Sequence, residues 1–234
     1  MIGVIGGNGV AATNKLCELI ENTRVKNGAY RDCHHPEMIV WQATQAPSRS
    51  MFLEGKGLSF VDDYVRIGTS LKECGCSHLC MCCKTAHFAI EELEKQIGIP
   101  FINIIELTLQ AVDKSSKKVG VMCSDGNKKY RLYDNTLKKI AGVSFDIVYP
   151  SDEYQEKVTK GICASKDMSR YSINSSNYPQ RLFDEVYKHL VSQDCQTIIL
   201  GCTDINAVFT PPNINGVQCL DSLKVLADYI ETNF

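Results

Sequence analysis

The sequence predicts an α/β protein built as two similar αβα lobes with mainly parallel sheets. Three observations carry this. Short apolar runs alternate with longer amphipathic stretches along the whole chain, the pattern of strands joined by crossover helices. The segment SHLCMCCKT at 77–85 is echoed by TIILGCTDI at 197–205, each apolar and then placing Cys and Thr at a strand's carboxyl end. The opening MIGVIGGNG is echoed by KVGVMCSDG at 118–126. Two half-chains built alike imply lobes related by a pseudo-two-fold axis, with a ligand cleft between them.

In chain order, the apolar runs predict strands over 1–5, 37–43, 77–83, 101–104, 118–123, 145–149, 196–201 and 217–220. Amphipathic spacing between them predicts helices near 10–27, 58–74, 86–97, 105–115, 126–141, 153–161, 178–193 and 221–232. Turn chemistry marks the breaks at Gly6-Gly7-Asn8-Gly9, Pro47, Ser124-Asp125-Gly126 and Pro211-Pro212. The expected division is a first lobe of 1–105 plus 213–234, closed by a returning helix, and a second lobe of 106–212.

Composition narrows the class. A net charge of -2 leaves no electrostatic footprint for nucleic acid or an anionic membrane. No apolar run approaches the roughly 18–20 residues of a membrane helix, and MIGVIGG reads as a strand rather than a leader. A cytoplasmic location follows as the expectation, and there twelve cysteines are free thiols rather than a disulfide framework.

Two of those thiols stand apart. Cys83 and Cys202 each close a strand and precede a helix, where open α/β sheets bind ligands. Thiols on opposite walls of a cleft suit inversion at a carbon acid. One, as thiolate, removes the α-proton; the other, as thiol, delivers a proton to the opposite face. Thr85 and Thr203 put hydroxyls beside them, and helix N-termini behind both strands favour a carboxylate. The competing readings are ordinary buried thiols, or a zinc site among Cys74, Cys76, Cys80, Cys82, Cys83 and His87. The latter lacks any CxxC pair, and a strand sends Cys80 and Cys82 to one side and Met81 and Cys83 to the other. The Gly6–Gly9 loop lacks the third glycine and the lysine of nucleotide-binding loops.

The motifs resemble the cofactor-independent aspartate/glutamate racemase family. Its Cys-Asn-Thr-Ala-His signature is similar to Cys83-Lys84-Thr85-Ala86-His87, and its Gly-Cys-Thr-Glu to Gly201-Cys202-Thr203-Asp204. Gly6-Gly7-Asn8-Gly9-Val10-Ala11-Ala12-Thr13 resembles its N-terminal glycine loop. Pro47-Ser48-Arg49 and Lys160-Gly161 resemble the aspartate racemase branch. The resemblance implies Cys83 and Cys202 as the two catalytic bases. It implies Arg49 and Lys160 on the substrate's side-chain carboxylate, and Thr85, Thr203, Asn8 and Lys84 as further substrate contacts. It also implies no cofactor and no metal, a free acidic amino acid as substrate, and a homodimer. Lys84 replaces the family's asparagine, and Cys123-Ser124-Asp125-Gly126-Asn127 replaces its second-lobe Ala-Thr-x-Gly-Thr. A superfamily isomerase or decarboxylase acting on another carbon acid, or a silent amino-acid-binding protein, are the alternatives. Lys160 before Gly161 also fits a helix end, and His87 fits a structural role as well as one assisting Cys83.

Overall fold

The computed structural model describes all 234 residues. The chain runs β1 (Ile2–Gly6), α1 (Val10–Lys26), β2 (Met38–Gln42), α2 (Arg49–Leu53), α3 (Val61–Glu73), β3 (His78–Met81), α4 (Ile90–Ile97), β4 (Phe101–Ile102) and α5 (Ile104–Gln110). It continues with β5 (Lys118–Met122), α6 (Asp125–Lys129), α7 (Leu132–Leu137), β6 (Asp146–Val148), α8 (Asp152–Ala164), α9 (Pro179–Ser192), β7 (Thr197–Leu200), α10 (Thr203–Asn206), β8 (Gln218–Asp221) and α11 (Ser222–Asn233). Short 3-10 segments occupy Asp32–His34, Lys84–Ala89 and Met168–Tyr171.

Every strand pairing is parallel, and the strands form two four-stranded sheets of the same order, β2-β1-β3-β4 and β6-β5-β7-β8. Parallel neighbours need crossover connections, which is why helices separate the strands. Covered on both faces, β1 and β7 are buried at every residue, so they read as continuous apolar runs. The first core packs Phe60, Tyr64, Ile67 and Leu71 of α3 and its start against Ile5, Leu79 and Leu93. The second packs Phe183, Val186 and Leu190 of α9 against Met122, Ile198 and Leu200. Each such side chain contributes on the order of 1.5–3 kcal/mol by leaving water.

Two compact units result, Met1–Ile104 with Leu223–Phe234, and Ile105–Ser222. The expected first-lobe segment 213–234 divides between them. β8 pairs with β7 in register Thr197↔Gln218 to Leu200↔Asp221, so its backbone belongs to the second sheet. Only α11 returns to the first unit, where Glu231 meets Arg24 at 3.3 Å and Asp228 accepts from Thr23.

Other departures have local causes. The helix expected over 126–141 breaks at Arg131, whose left-handed φ of 47° starts α7 anew. The helix expected over 153–161 continues to Ala164, so Gly161 is not a helix end. A Cβ there would lie 2.5 Å from Phe183 Cε1, so the glycine is what lets α8 approach α9. Gly161→Val is therefore expected to destabilise the protein by roughly 2 kcal/mol or more through overpacking. A lower urea midpoint at unchanged slope checks this.

Candidate active site

In the first unit, the loops beyond adjacent strands β1 and β3 bring their side chains together. Gly7 takes φ +75°, and a Cβ on it would meet the Ala43 backbone nitrogen at 2.6 Å, so only glycine fits this turn. Thr13 of α1 accepts from the Gly7 N–H at 3.0 Å, which ties the loop to the helix it precedes. The loop presents Asn8, whose Nδ2 donates to the hydroxyl of Tyr64 on α3. Arg49 begins α2 beyond β2, with Ser48 as its N-cap. Its Nη1 donates to the carbonyls of Pro47 (3.0 Å) and Ala46 (3.4 Å), which holds the guanidinium over its own turn.

Cys83 stands two residues beyond β3 in extended backbone (φ -93°, ψ 110°), half-buried, as the N-cap of the 3-10 turn. Its carbonyl accepts from Ala86 N–H at 3.1 Å and faces His87 Nδ1 at 3.0 Å. A carbonyl only accepts, so Nδ1 carries the imidazole proton and Nε2 is a bare lone pair. Burial, and secondarily the charge of Lys84, push His87 down to about 4, so the ring is neutral in ordinary buffers. Lys84 is 2% exposed and Thr85 5%.

Tyr64 is the hub of this group. Burial is the main force raising its phenol above the ordinary value; the Arg49 charge opposes the rise, and Cys83 and Cys82 add to it. Three buried polar atoms of this unit, Asn8 Oδ1, Arg49 Nε and His87 Nε2, have no hydrogen-bond partner. Buried polar atoms are ordinarily paired, and Asn8 and Arg49 both neighbour Tyr64, so their two free atoms leave hydrogen-bonding capacity beside it. The neighbouring thiols are unsuited to proton transfer. Burial pushes Cys82 up to about 12 and Cys80 well above its ordinary value.

The second unit repeats the placement. Cys202, half-buried and extended (φ -127°, ψ 132°), is the N-cap of α10 just beyond β7. Gly201 before it donates its N–H to Met122 O at 2.7 Å, and a Cβ there would crowd that same oxygen at 2.9 Å. Cys202 Sγ donates to Asp204 Oδ2 at 3.8 Å, and Lys166 Nζ lies 3.0 Å from that oxygen. Thr203 is 3% exposed. Beneath, the buried Tyr133 hydroxyl donates to Gly201 O at 3.4 Å. Asn127 is buried with an unpartnered Oδ1, and Gln155 Nε2 donates to Cys123 O (3.0 Å) and Asp125 Oδ1 (2.8 Å).

Lys160 lies at the open edge of that group. Its side chain is 62% exposed, 3.8 Å from Glu156, on an open cavity of about 410 Å³ shared with Asp125, Asp152, Gln155 and Thr159. Helix dipoles contribute less than the sequence suggested, because α10 has four residues and the element after Cys83 starts as a 3-10 turn. Sequence reasoning missed Tyr64, Tyr133 and Gln155. Each sits on the apolar face of a helix and looks like core until its hydroxyl or amide is seen against a strand-end loop.

A model of the Asp/Glu/hydantoin racemase family matches residues 2–230. The chain belongs to that family. By that membership it is an amino-acid racemase. It is 26% identical over 228 residues, 94% of each chain, to the broad-specificity amino-acid racemase RacX of Bacillus subtilis. Its fold is similar to that of Picrophilus torridus aspartate racemase, with TM-score 0.79, 21% identity, and coverage of 99% of this chain and 92% of that one. Glutamate racemase isoform RacE1 from Bacillus anthracis gives TM-score 0.69 at 18% identity, covering 99% and 80%. Within this racemase, the buried ammonium beside Cys83 distinguishes the first unit, because the family resemblance puts a neutral amide there.

Proposed function

We propose that this racemase inverts a free acidic amino acid, aspartate or glutamate, without a cofactor, using Cys83 and Cys202 as its two bases. One observation carries the reading. Both half-buried thiols occupy the same place in sheets of the same order, just beyond the third strand, each with a buried threonine one or two residues on. In the proposed reaction each thiol serves one face of Cα. The thiolate forms an S–H bond with the α-proton and leaves the electron pair on carbon. The opposing thiol then gives that carbon its proton and keeps the sulfur electron pair.

The carbanion is the difficulty, and donors at the α-carboxylate ease it by taking up charge. Thr85 and Thr203 serve there. Arg49, with an unpartnered Nε, and Lys160, at the edge of an open cavity, hold the side-chain carboxylate. Asn8 offers Oδ1 as an acceptor for the substrate ammonium, and Lys84 adds a cation on the Cys83 side. Incubation with L-aspartate, L-glutamate and neutral amino acids in D2O, followed by NMR, tests this. Loss of the α-proton signal together with the opposite enantiomer is the expected result. Binding without exchange would make the chain a silent binding protein, and exchange without inversion another carbon-acid enzyme.

Arg49→Lys gives the side-chain reading its own check. A planar guanidinium grips a carboxylate through parallel hydrogen bonds that an ammonium cannot reproduce. The expected loss in kcat/KM on acidic substrates is roughly ten- to a hundredfold, or about 1.5–3 kcal/mol, with a much smaller loss on neutral ones. Equal losses on both would assign Arg49 to loop structure.

A further inference from the structure

The two thiols have different surroundings, and the difference has a direction. Cys83 is followed by a buried lysine and a neutral imidazole. Cys202 instead donates its S–H to a carboxylate, Asp204 Oδ2, at 3.8 Å. We infer that Asp204 keeps the proton on Cys202 between turnovers, so that Cys202 enters the reaction as the acid and Cys83 as the base. This rests on the two-thiol reading and deepens it by assigning the resting proton.

The physical reason is elementary. A carboxylate accepting an S–H bond stabilises the thiol, and the same carboxylate repels the thiolate that would replace it. Lys166, 3.0 Å from the same oxygen, moderates that repulsion and holds the carboxylate in place. Asp204 is itself 7% exposed, so its charge acts through little water, whereas the Lys166 side chain is 56% exposed and its effect is partly screened. Tyr133 of α7 also neighbours the thiol, and its phenol, pushed well above its ordinary value chiefly by burial, carries no charge at neutral pH that could cancel the carboxylate.

The protons balance over one turnover. Cys83 gains the α-proton and becomes a thiol, while Cys202 loses its proton to the opposite face and becomes a thiolate. The enzyme then holds a thiolate beside Asp204, its less favourable form, and returns to rest by taking one proton from water at Cys202 and releasing one from Cys83. The enantiomer bound productively by the resting enzyme is therefore the one whose α-proton faces Cys83. Asp204 acts through Cys202 and is a positioning residue.

The test reads the thiol itself. Full-length protein is alkylated with iodoacetamide near pH 8, and the rate at each individual cysteine is followed by fragmenting the peptides in tandem mass spectrometry. Only the thiolate reacts. Asp204→Asn is expected to speed alkylation of Cys202 about tenfold, and Lys166→Met to slow it roughly two- to threefold, with Cys83 unchanged in both. Opposite signs are the mark of charge. Acceleration in both variants would mean that they merely loosen the loop, and an unchanged Cys202 rate in Asp204→Asn would likewise overturn the assignment. If Asp204→Asn does not fold, the surface variant Lys166→Met decides alone: slowing supports the inference, and no change or acceleration refutes it. The wild-type chain's α-proton exchange in D2O is measured alongside. No exchange by wild type, with the alkylation pattern intact, would remove the racemisation reading and leave the Asp204 assignment standing.

Discussion

Cys83→Ser and Cys202→Ser are each expected to lower racemisation by about three orders of magnitude or more, because a serine hydroxyl is far too weak an acid to exchange the α-proton. The double variant should be scarcely worse than either single one, since two groups acting in one step do not contribute additively. What separates the two-base reading from general damage is a reaction that needs one base. Elimination of HX from a β-halogenated amino acid requires only proton removal from one face. Each single variant should keep that activity toward one enantiomer, and the surviving enantiomer should differ between them. Cys82→Ser is the control, since the fully buried thiol next door, pushed up to about 12, has no role in proton transfer. Substantial racemisation by either Cys83→Ser or Cys202→Ser would sink the assignment, as would elimination of the same enantiomer by both.

That assignment could be approached from sequence because its signal is periodic and repeated. All eight strands lie where apolar runs predict them, and in β1 and β7, buried at every residue, no polar side blurs the pattern. Boundaries were less legible. The run ending at Cys83 reads as strand throughout, but β3 stops at Met81, and that early stop separates a half-buried thiol from the sealed one at Cys82. The elements that shape the candidate site are the ones periodicity is blind to. α2 and α10 have five and four residues, too short for a helical stripe, and Arg131 breaks a helix through a backbone angle that its residue type does not announce. Tyr64 escaped because its ring obeys the core pattern of α3, and only its hydroxyl, paired with Asn8, belongs to the loop. Gly161 illustrates the converse error. It resembles a motif residue, yet the Phe183 ring against it gives it a packing reason of its own.

Lys84→Asn is expected to cost roughly ten- to a hundredfold in kcat/KM on a dicarboxylic amino acid, about 1.5–3 kcal/mol, and much less on a neutral one. The sequence left open whether Lys84 faces solvent; at 2% exposure it does not. Its charge is felt by two neighbours in the unit, opposing the rise at Cys82 and lowering His87, which locates the ammonium in the turn that carries Cys83. Taking an ammonium out of water costs several kcal/mol before its contacts offset it, and a neutral side chain of similar length would fill the same volume without that cost. An anion brought up to Cys83 would feel that cation, because low local dielectric strengthens the attraction. Combining Lys84→Asn with Arg49→Lys shows which carboxylate it serves. If the two cations share the side-chain carboxylate, the double variant loses less than the product of the single losses. If Lys84 serves the α-carboxylate, the losses multiply, and neutral substrates suffer from Lys84→Asn as well. A gain of turnover in Lys84→Asn would instead show that the lysine restrains an ordinary family site, and unchanged ranking across acidic and neutral substrates would remove Lys84 from recognition altogether.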